Sequence, residues 1–252
     1  MISDMDRRRL DELAARAGRT GRTCYTKFLE PVAADAARAA AARAGAQIAL
    51  WGGYPDAERR VAAFYTGEAP EAEDYPLLAL RIEWNAKFAK PGHRDLLGAV
   101  MGLGIEREAV GDIAMGERRG ADCAWLFATP EMADYICANL QSAGRASVKA
   151  AIDAEAPEIR PPEGAALRVT VQNPRLDAVL AAGCRLSRSE AQRLIASGLV
   201  KLNHVPTLRA DARLAAGDLV SARGCGRIRV QAFRGESRRG RLVVELFRYG
   251  EK

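Results

Sequence analysis

Basic side chains recur through residues 175–203, where they share the polar side of a predicted compact unit. This segment, RLDAVLAAGCRLSRSEAQRLIASGLVKLN, contains one Asp and one Glu. Guanidinium and ammonium groups bind phosphate oxygens, and arginine does so through two parallel hydrogen bonds. The residue types and their grouping therefore predict contact with a polyanion. The basic residues of this side are Arg175, Arg185, Arg188, Arg193 and Lys201.

Side chains that could carry out catalysis are sparse. His93 and His204 are the two histidines of the chain, and they fall in different predicted domains. The sequence contains no P-loop, no nucleophile elbow and no G-x-G-x-x-G motif after a strand. We therefore expect that the protein is not an enzyme, and an undetected RNA-modifying activity stays open as an alternative.

The cysteines are scattered singly, at positions 24, 123, 137, 184 and 225, without a C-x-x-C pair. This spacing argues against a zinc site and against a disulfide framework. It predicts reduced thiols in a cytoplasmic protein, and we expect no metal and no other cofactor. Neither a signal-peptide pattern nor an apolar run of about 18 residues occurs, so we expect no membrane partner.

Two short helices and a strand must position the basic side chains. Apolar residues at spacings of three and four predict a first helix from Leu176, which Gly183 is expected to end in a left-handed conformation. Ser187 and Glu190 are spaced as a capping box at the start of the second helix. Gly198 is expected to close that helix, and residues 200–203 alternate as a strand does.

Positive charge is concentrated in the C-terminal third of the chain. Residues 168–252 hold 17 of the 38 Lys and Arg residues and 7 of the 32 Asp and Glu residues. Their net charge is therefore +10, whereas the rest of the chain has a net charge of −4. An excess of positive charge that is confined to one domain is typical of a surface that binds a polyanion.

The N-terminal segment predicts a small helix-rich α+β unit. Its expected elements are helices over 4–17, 32–44 and 56–64 and a strand over 48–51. Arg59 and Arg60 are expected to be solvated on the last of these helices, with RNA contact as the alternative. The acidic, proline-containing residues 68–76 then mark a boundary.

The central segment predicts six elements in the order βαββαβ. The expected strands cover 77–84, 112–115, 123–128 and 146–152, and the expected helices cover 91–102 and 130–140. This order is that of the ferredoxin-like fold, which RNA-recognition domains use. The aromatic stretch with which such domains stack bases is absent, so we do not expect base stacking on this sheet.

We therefore predict an α+β chain of three small domains. An N-terminal α+β domain covers 1–75, and a central ferredoxin-like or RRM-like domain covers 76–153. A linker with three prolines over 154–167 leads to a C-terminal domain over 168–252, which becomes β after Asn203.

Three groups of residues resemble the S-four (αL) RNA-binding domain. They are Arg175-Leu176-Asp177, Ser187-Arg188-Ser189 and Ile195-x-x-Gly198-x-Val200-x-x-Asn203. The family usually has Gly after the strand Asn, where this chain has His204. Asn and His both tolerate positive φ, so a turn is still expected there.

Further motifs extend the resemblance to the YlmH family of bacterial S-four proteins. They are Gly52-Gly53-Tyr54-Pro55-x-x-Glu58-Arg59, His93-Arg94-Asp95-Leu96-Leu97-Gly98-Ala99-x-Met101-Gly102-Leu103-Gly104-Ile105-x-Arg107, Gly111-Asp112-Ile113, R-G-x-G-R at 223–227 and G-x-S-R-R-G-R at 235–241. The resemblance implies a non-catalytic RNA-binding protein of the ribosome. It further implies that the protein steadies peptidyl-tRNA on stalled large subunits during ribosome-associated quality control.

The expected partners are ribosomal RNA, the large ribosomal subunit and tRNA in the form of peptidyl-tRNA, and we expect a monomer. Reversing Arg188 and Arg193 to Glu is expected to abolish most RNA affinity while the fold stays intact. The expected RNA-binding residues are Arg175, Arg185, Arg188, Ser189, Arg193, Lys201, Asn203, Arg223, Arg227, Arg238, Arg239 and Arg241.

Two other functions stay open. A ribosome-assembly factor or RNA chaperone would share every feature described above. A protein-interaction scaffold linked to cell division, in which the central domain binds protein, is the other alternative.

Overall fold

A computed structural model describes residues 3–155, 157–160, 164–237 and 240–250. The chain forms two compact units, an N-terminal unit of residues 1–160 and a C-terminal unit of residues 161–252. Within the described ranges, no helix is both long and apolar enough to cross a membrane.

The N-terminal unit begins with two helices and a three-stranded sheet. In chain order these are α1 (Asp4–Thr20), β1 (Cys24–Leu29), α2 (Ala34–Ala44), β2 (Gln47–Trp51) and β3 (Arg60–Tyr65). The antiparallel sheet has the order β1-β3-β2. Alanine side chains let α1 and α2 approach closely, and both helices cover one face of the sheet with a core that includes Leu10, Ala37 and Phe64.

The helix expected over 56–64 is wrong, because most of this segment forms the central strand β3. Val61, Ala62, Ala63 and Phe64 are all fully buried, since β3 is covered on both faces. A strand in that position has a continuous apolar run instead of an alternating one. Such a short run has no period that separates a strand from a buried helix.

A second, six-stranded sheet follows in the same unit. Its elements are β4 (Leu78–Trp84), α3 (His93–Gly102), β5 (Val110–Arg118), β6 (Ala121–Ala128), α4 (Pro130–Asn139), β7 (Ser142–Ala143), β8 (Ala146–Ile152) and β9 (Glu158–Ile159). The sheet order is β7-β8-β4-β6-β5-β9. The main strands β8, β4, β6 and β5 thus have the antiparallel order of the ferredoxin-like fold, and the predicted α+β class is confirmed.

The two sheets of the N-terminal unit pack face to face. Phe28 and Val61 of the small sheet share a buried cluster with Trp125 and Phe127 of β6. The Tyr54 and Phe127 rings stack with centroids 5.4 Å apart. Gly53, at a φ of 96°, lies so close that an added Cβ would overlap the Phe127 ring. The helix-free face of the central sheet is therefore covered by the N-terminal elements.

One carboxylate joins the motifs of residues 52–59 and 111–113. Asp112 accepts hydrogen bonds from the Tyr54 hydroxyl at 3.2 Å and from the backbone N–H of Glu58 at 2.6 Å. Burial, with the nearby Asp112 charge, raises the pKa of Tyr54 well above its ordinary value. These motifs thus hold the two sheets together.

The C-terminal unit places two helices on one face of another six-stranded sheet. Its elements are β10 (Gly164–Val171), α5 (Leu176–Cys184), α6 (Arg188–Ala196), β11 (Val200–Leu202), β12 (Val205–Pro206), β13 (Leu219–Ala222), β14 (Gly226–Glu236) and β15 (Leu242–Tyr249). The sheet order is β10-β15-β14-β13-β11-β12. Leu180 and Ile195 of the helices pack on Ile228 and Leu246 of the sheet. Strand β10 begins within the range that was expected to be a linker.

Candidate nucleic-acid interface

The start of α6 is fixed by the predicted capping box. The Ser187 hydroxyl accepts from the backbone N–H of Glu190 at 3.2 Å, and a Glu190 carboxylate oxygen accepts from the backbone N–H of Ser187 at 2.7 Å. Hydrogen bonds from Ser187 hold the pKa of this exposed carboxylate below its usual value. The cap leaves Arg188 and Ser189 in the exposed first turn of α6.

The expected end of α5 at Gly183 is wrong, because the helix continues to Cys184. Arg185 instead adopts the left-handed conformation, at a φ of 58°. Gly183 has a packing role within the helix, since an added Cβ would lie 2.7 Å from the Cδ1 atom of Ile228. The glycine therefore permits close contact between α5 and β14.

A buried carboxylate organises the junction of α5 and α6. Asp177 is fully buried and accepts from Arg175 Nε at 3.2 Å, from Arg188 Nε at 3.1 Å and from Gln192 Nε2 at 2.8 Å. Burial raises the pKa of Asp177, but these three hydrogen bonds outweigh it, so the pKa lies below its usual value. One ionised side chain thus sets the direction of two arginines.

Arg175, Arg188 and Arg241 line a single groove of about 270 Å³, which we call the arginine groove. Arg241 reaches it from the end of the β14–β15 connection and donates to the carbonyl oxygen of Thr170 at 3.0 Å. The small side chains of α5, such as Ala178 and Ala182, form part of its wall. Three guanidinium groups against one buried carboxylate leave the groove with excess positive charge, which suits a phosphate group.

The other predicted residues are spread around the C-terminal unit. Arg185 follows α5, Ser189 and Arg193 are exposed on α6, and Arg223 lies in the turn between β13 and β14. Lys201 of β11 and Arg227 of β14 lie on the sheet face opposite the helices. Arg238 and Arg239 fall outside the described residues. The structure therefore brings three of the predicted arginines together in one groove, and the other predicted residues that it describes lie outside that groove.

The predicted turn after β11 is confirmed, with a φ of 47° at Asn203 and of 69° at His204. The Asn203 side chain donates to Asp218 at 2.8 Å and accepts from the backbone N–H of Leu219 at 2.8 Å. These bonds join the β11–β12 turn to the start of β13. In this structure the Asn203 amide therefore serves the fold, although the sequence predicted that it binds RNA.

Arg59, like Asn203, has a side chain that stabilises the fold. It is 7% exposed, and its guanidinium group donates to the carbonyl oxygens of Val110 at 3.1 Å, Phe28 at 3.2 Å and Arg107 at 2.9 Å. Burial lowers the pKa of Arg59. The expectation of a solvated arginine is wrong, because this side chain joins both sheets of the N-terminal unit and is closed to RNA.

The part of the chain that the structure describes contains no cluster of side chains that could hold a metal ion. Within those ranges, no three side chains of His, Cys, Asp or Glu lie close enough together to hold an ion. Two of the buried thiols are poorly ionised: burial raises the pKa of Cys123 to about 11 and that of Cys184 to about 12.

Three family models match successive parts of the chain. They are described as "YlmH, N-terminal" over residues 6–69, "Putative RNA-binding domain in YlmH" over 70–154 and "S4 domain" over 174–220. The last of these is the S-four domain named above, and it includes α5, α6 and β11.

A curated relative and a solved structure are also similar to the chain. The "Ribosome-associated protein quality control protein P2" of Bacillus subtilis (strain 168) is 34% identical over 225 residues, which are 88% of this chain and 86% of the relative. The structure described as "Cell division protein ylmH from Streptococcus pneumoniae" is 22% identical, with a TM-score of 0.47 over 61% of this chain and 93% of that chain. The second likeness is too low to support a conclusion.

Proposed function

The chain belongs to the YlmH family, and on that premise we propose that it is a non-catalytic RNA-binding protein that acts on the ribosome. The observation that carries the proposal is the arginine groove of the S4 domain. Its three guanidinium groups come from the N-cap of α5, from α6 and from the β14–β15 connection, and the S4 domain model covers the first two of these positions.

The mechanism would consist of binding without bond chemistry. Arg175, Arg188 and Arg241 would neutralise RNA phosphates and release the cations condensed on them; this release would supply most of the affinity, and salt would weaken it. Folded RNA is recognised largely by the shape of its backbone. Because Asp177 fixes two of the three arginines, the groove would present these charges in a set geometry at a low entropic cost.

The finer role that we propose is to steady peptidyl-tRNA on stalled large ribosomal subunits in the cytoplasm. This role is supported by the relative from Bacillus subtilis, whose name places it in ribosome-associated quality control. Ribosomal RNA and the tRNA would then be the direct partners. A role in subunit assembly would use the same groove and a different particle.

Sedimentation of the full-length protein with ribosomal subunits tests the proposal. Arg241→Glu is the informative variant, because Arg241 is exposed and the described hydrogen bond of its side chain goes to one backbone carbonyl. Arg209→Glu is the matched control, since Arg209 is an exposed arginine of the same unit outside the groove. We expect wild type and Arg209→Glu in the large-subunit fractions at low salt and Arg241→Glu at the top of the gradient.

Equal binding by all three proteins would remove the groove from the interface, and absence of the wild type from every ribosomal fraction would overturn the proposal. The RNA recovered from the bound particle separates the finer roles. Mature subunits with peptidyl-tRNA would support quality control, whereas precursor RNA would indicate assembly. A pull-down of division proteins that survives nuclease treatment would favour the scaffold alternative.

A further inference from the structure

The sheet of the C-terminal unit has a second face, and a basic row crosses it. Lys201 pairs with Ser221, Ser221 with Arg227, and Arg227 with Tyr249, so that the four residues are directly opposite one another across β11, β13, β14 and β15. The row spans about 14 Å at the usual strand spacing. Ile228 alternates with these positions and is buried under the helices, so the row lies on the outer face of the sheet.

Two aromatic rings and an arginine lie at one end of this row. The Phe247 and Tyr249 rings meet edge to face, with centroids 5.1 Å apart. The Arg229 guanidinium carbon is 6.0 Å from the centre of the Tyr249 ring, and Arg229 Nε donates to the Tyr249 hydroxyl at 2.7 Å. Both rings are only partly buried, and Arg229 is exposed.

The position of the Phe247 ring requires a glycine at position 164, where an added Cβ would also lie 2.3 Å from the carbonyl oxygen of Arg248. Gly164 of β10 pairs with Tyr249, and a Cβ on this glycine would lie 2.7 Å from the Cζ atom of Phe247. The ring therefore lies across the first residue of β10. A fixed pair of aromatic rings beside guanidinium groups is the arrangement on which proteins stack unpaired bases.

We propose that Arg227, Arg229, Phe247 and Tyr249 form a sheet platform that stacks an unpaired base of single-stranded RNA, with Lys201 and Arg227 along the path of the flanking phosphates. The proposal rests on the proposed function for the nature of the partner and concerns a different surface. A duplex cannot use this platform, because its bases are stacked inside the helix. The arginine groove lies on the helix side and takes the backbone of folded RNA.

The charges around the platform favour RNA over an apolar or basic protein partner. Glu245 lies on the same face of β15, two residues before Phe247. Its carboxylate forms an ion pair with Arg234 at 3.0 Å. The row supplies Lys201, and Arg229 lies beside it on the same face. Aromatic rings next to an excess of cations attract the stacked, negatively charged partner that a nucleic acid strand provides.

Fluorescence anisotropy with the full-length protein tests the platform. The probe is a labelled 12-nucleotide oligouridine, either free or annealed to oligoadenosine as a duplex. We expect the combined change Phe247→Ala and Tyr249→Ala to weaken binding of free oligouridine about tenfold and to change duplex binding by less than about twofold. We expect Arg241→Ala, in the arginine groove, to weaken duplex binding more than binding of the single strand.

A second variant guards against misfolding. The tryptophans at 51, 84 and 125 all lie in the N-terminal unit, so Tyr249→Trp places a new fluorophore on the platform itself. Stacking predicts that oligouridine quenches the tryptophan emission of this variant more than that of the wild type and binds it with nearly wild-type affinity. Oligouridine binding without quenching would overturn the platform.

Other results would also overturn it. A folded double variant that binds oligouridine as wild type does would do so, as would an equal loss for the single strand and the duplex. Complete displacement of the RNA by oligoglutamate of equal charge would mean that the site binds any polyanion by charge alone and does not stack a base. Binding to large subunits is measured in parallel: if it persists when the platform fails, the proposed function stands, and if the wild type never binds subunits, the proposed function fails independently.

Discussion

The six-stranded sheet that contains β6 and the one that contains β15 have similar types of side chain on one face, but these side chains have different surroundings. Each has six strands and an aromatic pair two residues apart, Trp125 and Phe127 on β6 and Phe247 and Tyr249 on β15. Each also has an arginine over a ring, at 5.9 Å on Trp125 and at 6.0 Å on Tyr249. The first pair is at most 1% exposed, whereas the second is only partly buried.

The difference lies in what packs on each face. The N-terminal sheet covers Trp125 and Phe127, and the arginine beside them, Arg118, is surrounded by the carboxylates of Asp153, Glu155 and Glu158. On β15 the helices occupy the opposite face, and Arg229 donates to a phenol oxygen. An RRM-like order of strands therefore does not create a base-stacking surface when another sheet covers the aromatic face.

Truncation of one ring in each sheet should give the largest contrast. Phe127→Ala removes a fully enclosed ring and should lower the free energy of unfolding of the N-terminal unit by about 3–5 kcal/mol. Phe247→Ala removes a partly solvated ring and should cost about 1 kcal/mol in the C-terminal unit. Urea unfolding followed by tryptophan fluorescence reports the first unit, which holds all three tryptophans, and hydrogen exchange of peptides from 164–250 reports the second.

Equal losses for the two phenylalanine variants would mean that the β15 face is as enclosed as the β6 face. The comparison between a covered and an open sheet would then fail. A second change against the covered sheet is Gly53→Ala in the segment between β2 and β3, which adds a Cβ against the Phe127 ring at a positive φ and should also destabilise only the N-terminal unit.

The next effect concerns the helix side of the C-terminal sheet. Asp177→Asn removes the charge that holds Arg175 and Arg188 and leaves a buried amide with imperfect partners. Breaking a buried ion pair costs about 3–5 kcal/mol, and because both arginines are partly solvated we expect about 2 kcal/mol here. The exposed pair of Arg209 and Asp211 is the control, and Asp211→Asn should cost no more than about 0.5 kcal/mol.

The same geometry corrects the expectation that Arg188 can be reversed without cost. Arg188→Glu would place a second carboxylate against buried Asp177, and lost RNA affinity would then report unfolding as well as charge. Arg193→Glu and Arg241→Glu report the effect of charge on RNA affinity more directly, because both side chains are exposed.

If Asp177→Asn had the same stability as the wild type, the Asp177 carboxylate would not organise the junction of α5 and α6.

Acid should remove the Asp177 contribution. Its folded pKa lies below the ordinary value of 3.8, so the stabilisation is fully present above that value and is lost as the pH falls through the folded pKa. The stability difference between wild type and Asp177→Asn should therefore be constant between about pH 7 and 5 and shrink at about pH 3. Denaturant midpoints from hydrogen exchange of the C-terminal unit measure it. A stability difference that increased towards low pH would instead mean that the pKa of Asp177 is raised in the folded protein.

Features of the structure that depend on neighbouring residues could be predicted from the sequence, whereas features that depend on tertiary packing could not. The capping box of Ser187 and Glu190 needs only neighbouring residues, and it formed as predicted. The strand β3 was missed because its burial on both faces comes from two other layers. The role of Asp177 was missed because the sequence shows an acid near arginines and does not show its depth.

The candidate site divides in the same way. Arg188 and Arg193 were predicted to lie on the polar face of the second helix, and both are exposed on α6. Their convergence with Arg241 depends on where β15 begins relative to α5, which no local pattern contains. Phe247 and Tyr249 were read only as part of the last strand, since an alternating strand does not reveal whether its outer face is covered.

The smallest contrast compares two tyrosine hydroxyls. Tyr54→Phe on the covered side removes a hydrogen bond to the carboxylate of Asp112, and it should cost about 1–2 kcal/mol because a charged acceptor loses a partner in a partly buried place. Tyr249→Phe removes an exposed hydrogen bond from Arg229 and should cost less than about 0.5 kcal/mol. Because the ring stays, we expect oligouridine affinity to change by less than about twofold. If Tyr249→Phe instead weakened RNA binding as much as Tyr249→Ala, the hydroxyl rather than the ring would contact the base. The β15 surface would then recognise RNA by hydrogen bonding, and it would share with β6 only the presence of two aromatic residues at the same spacing.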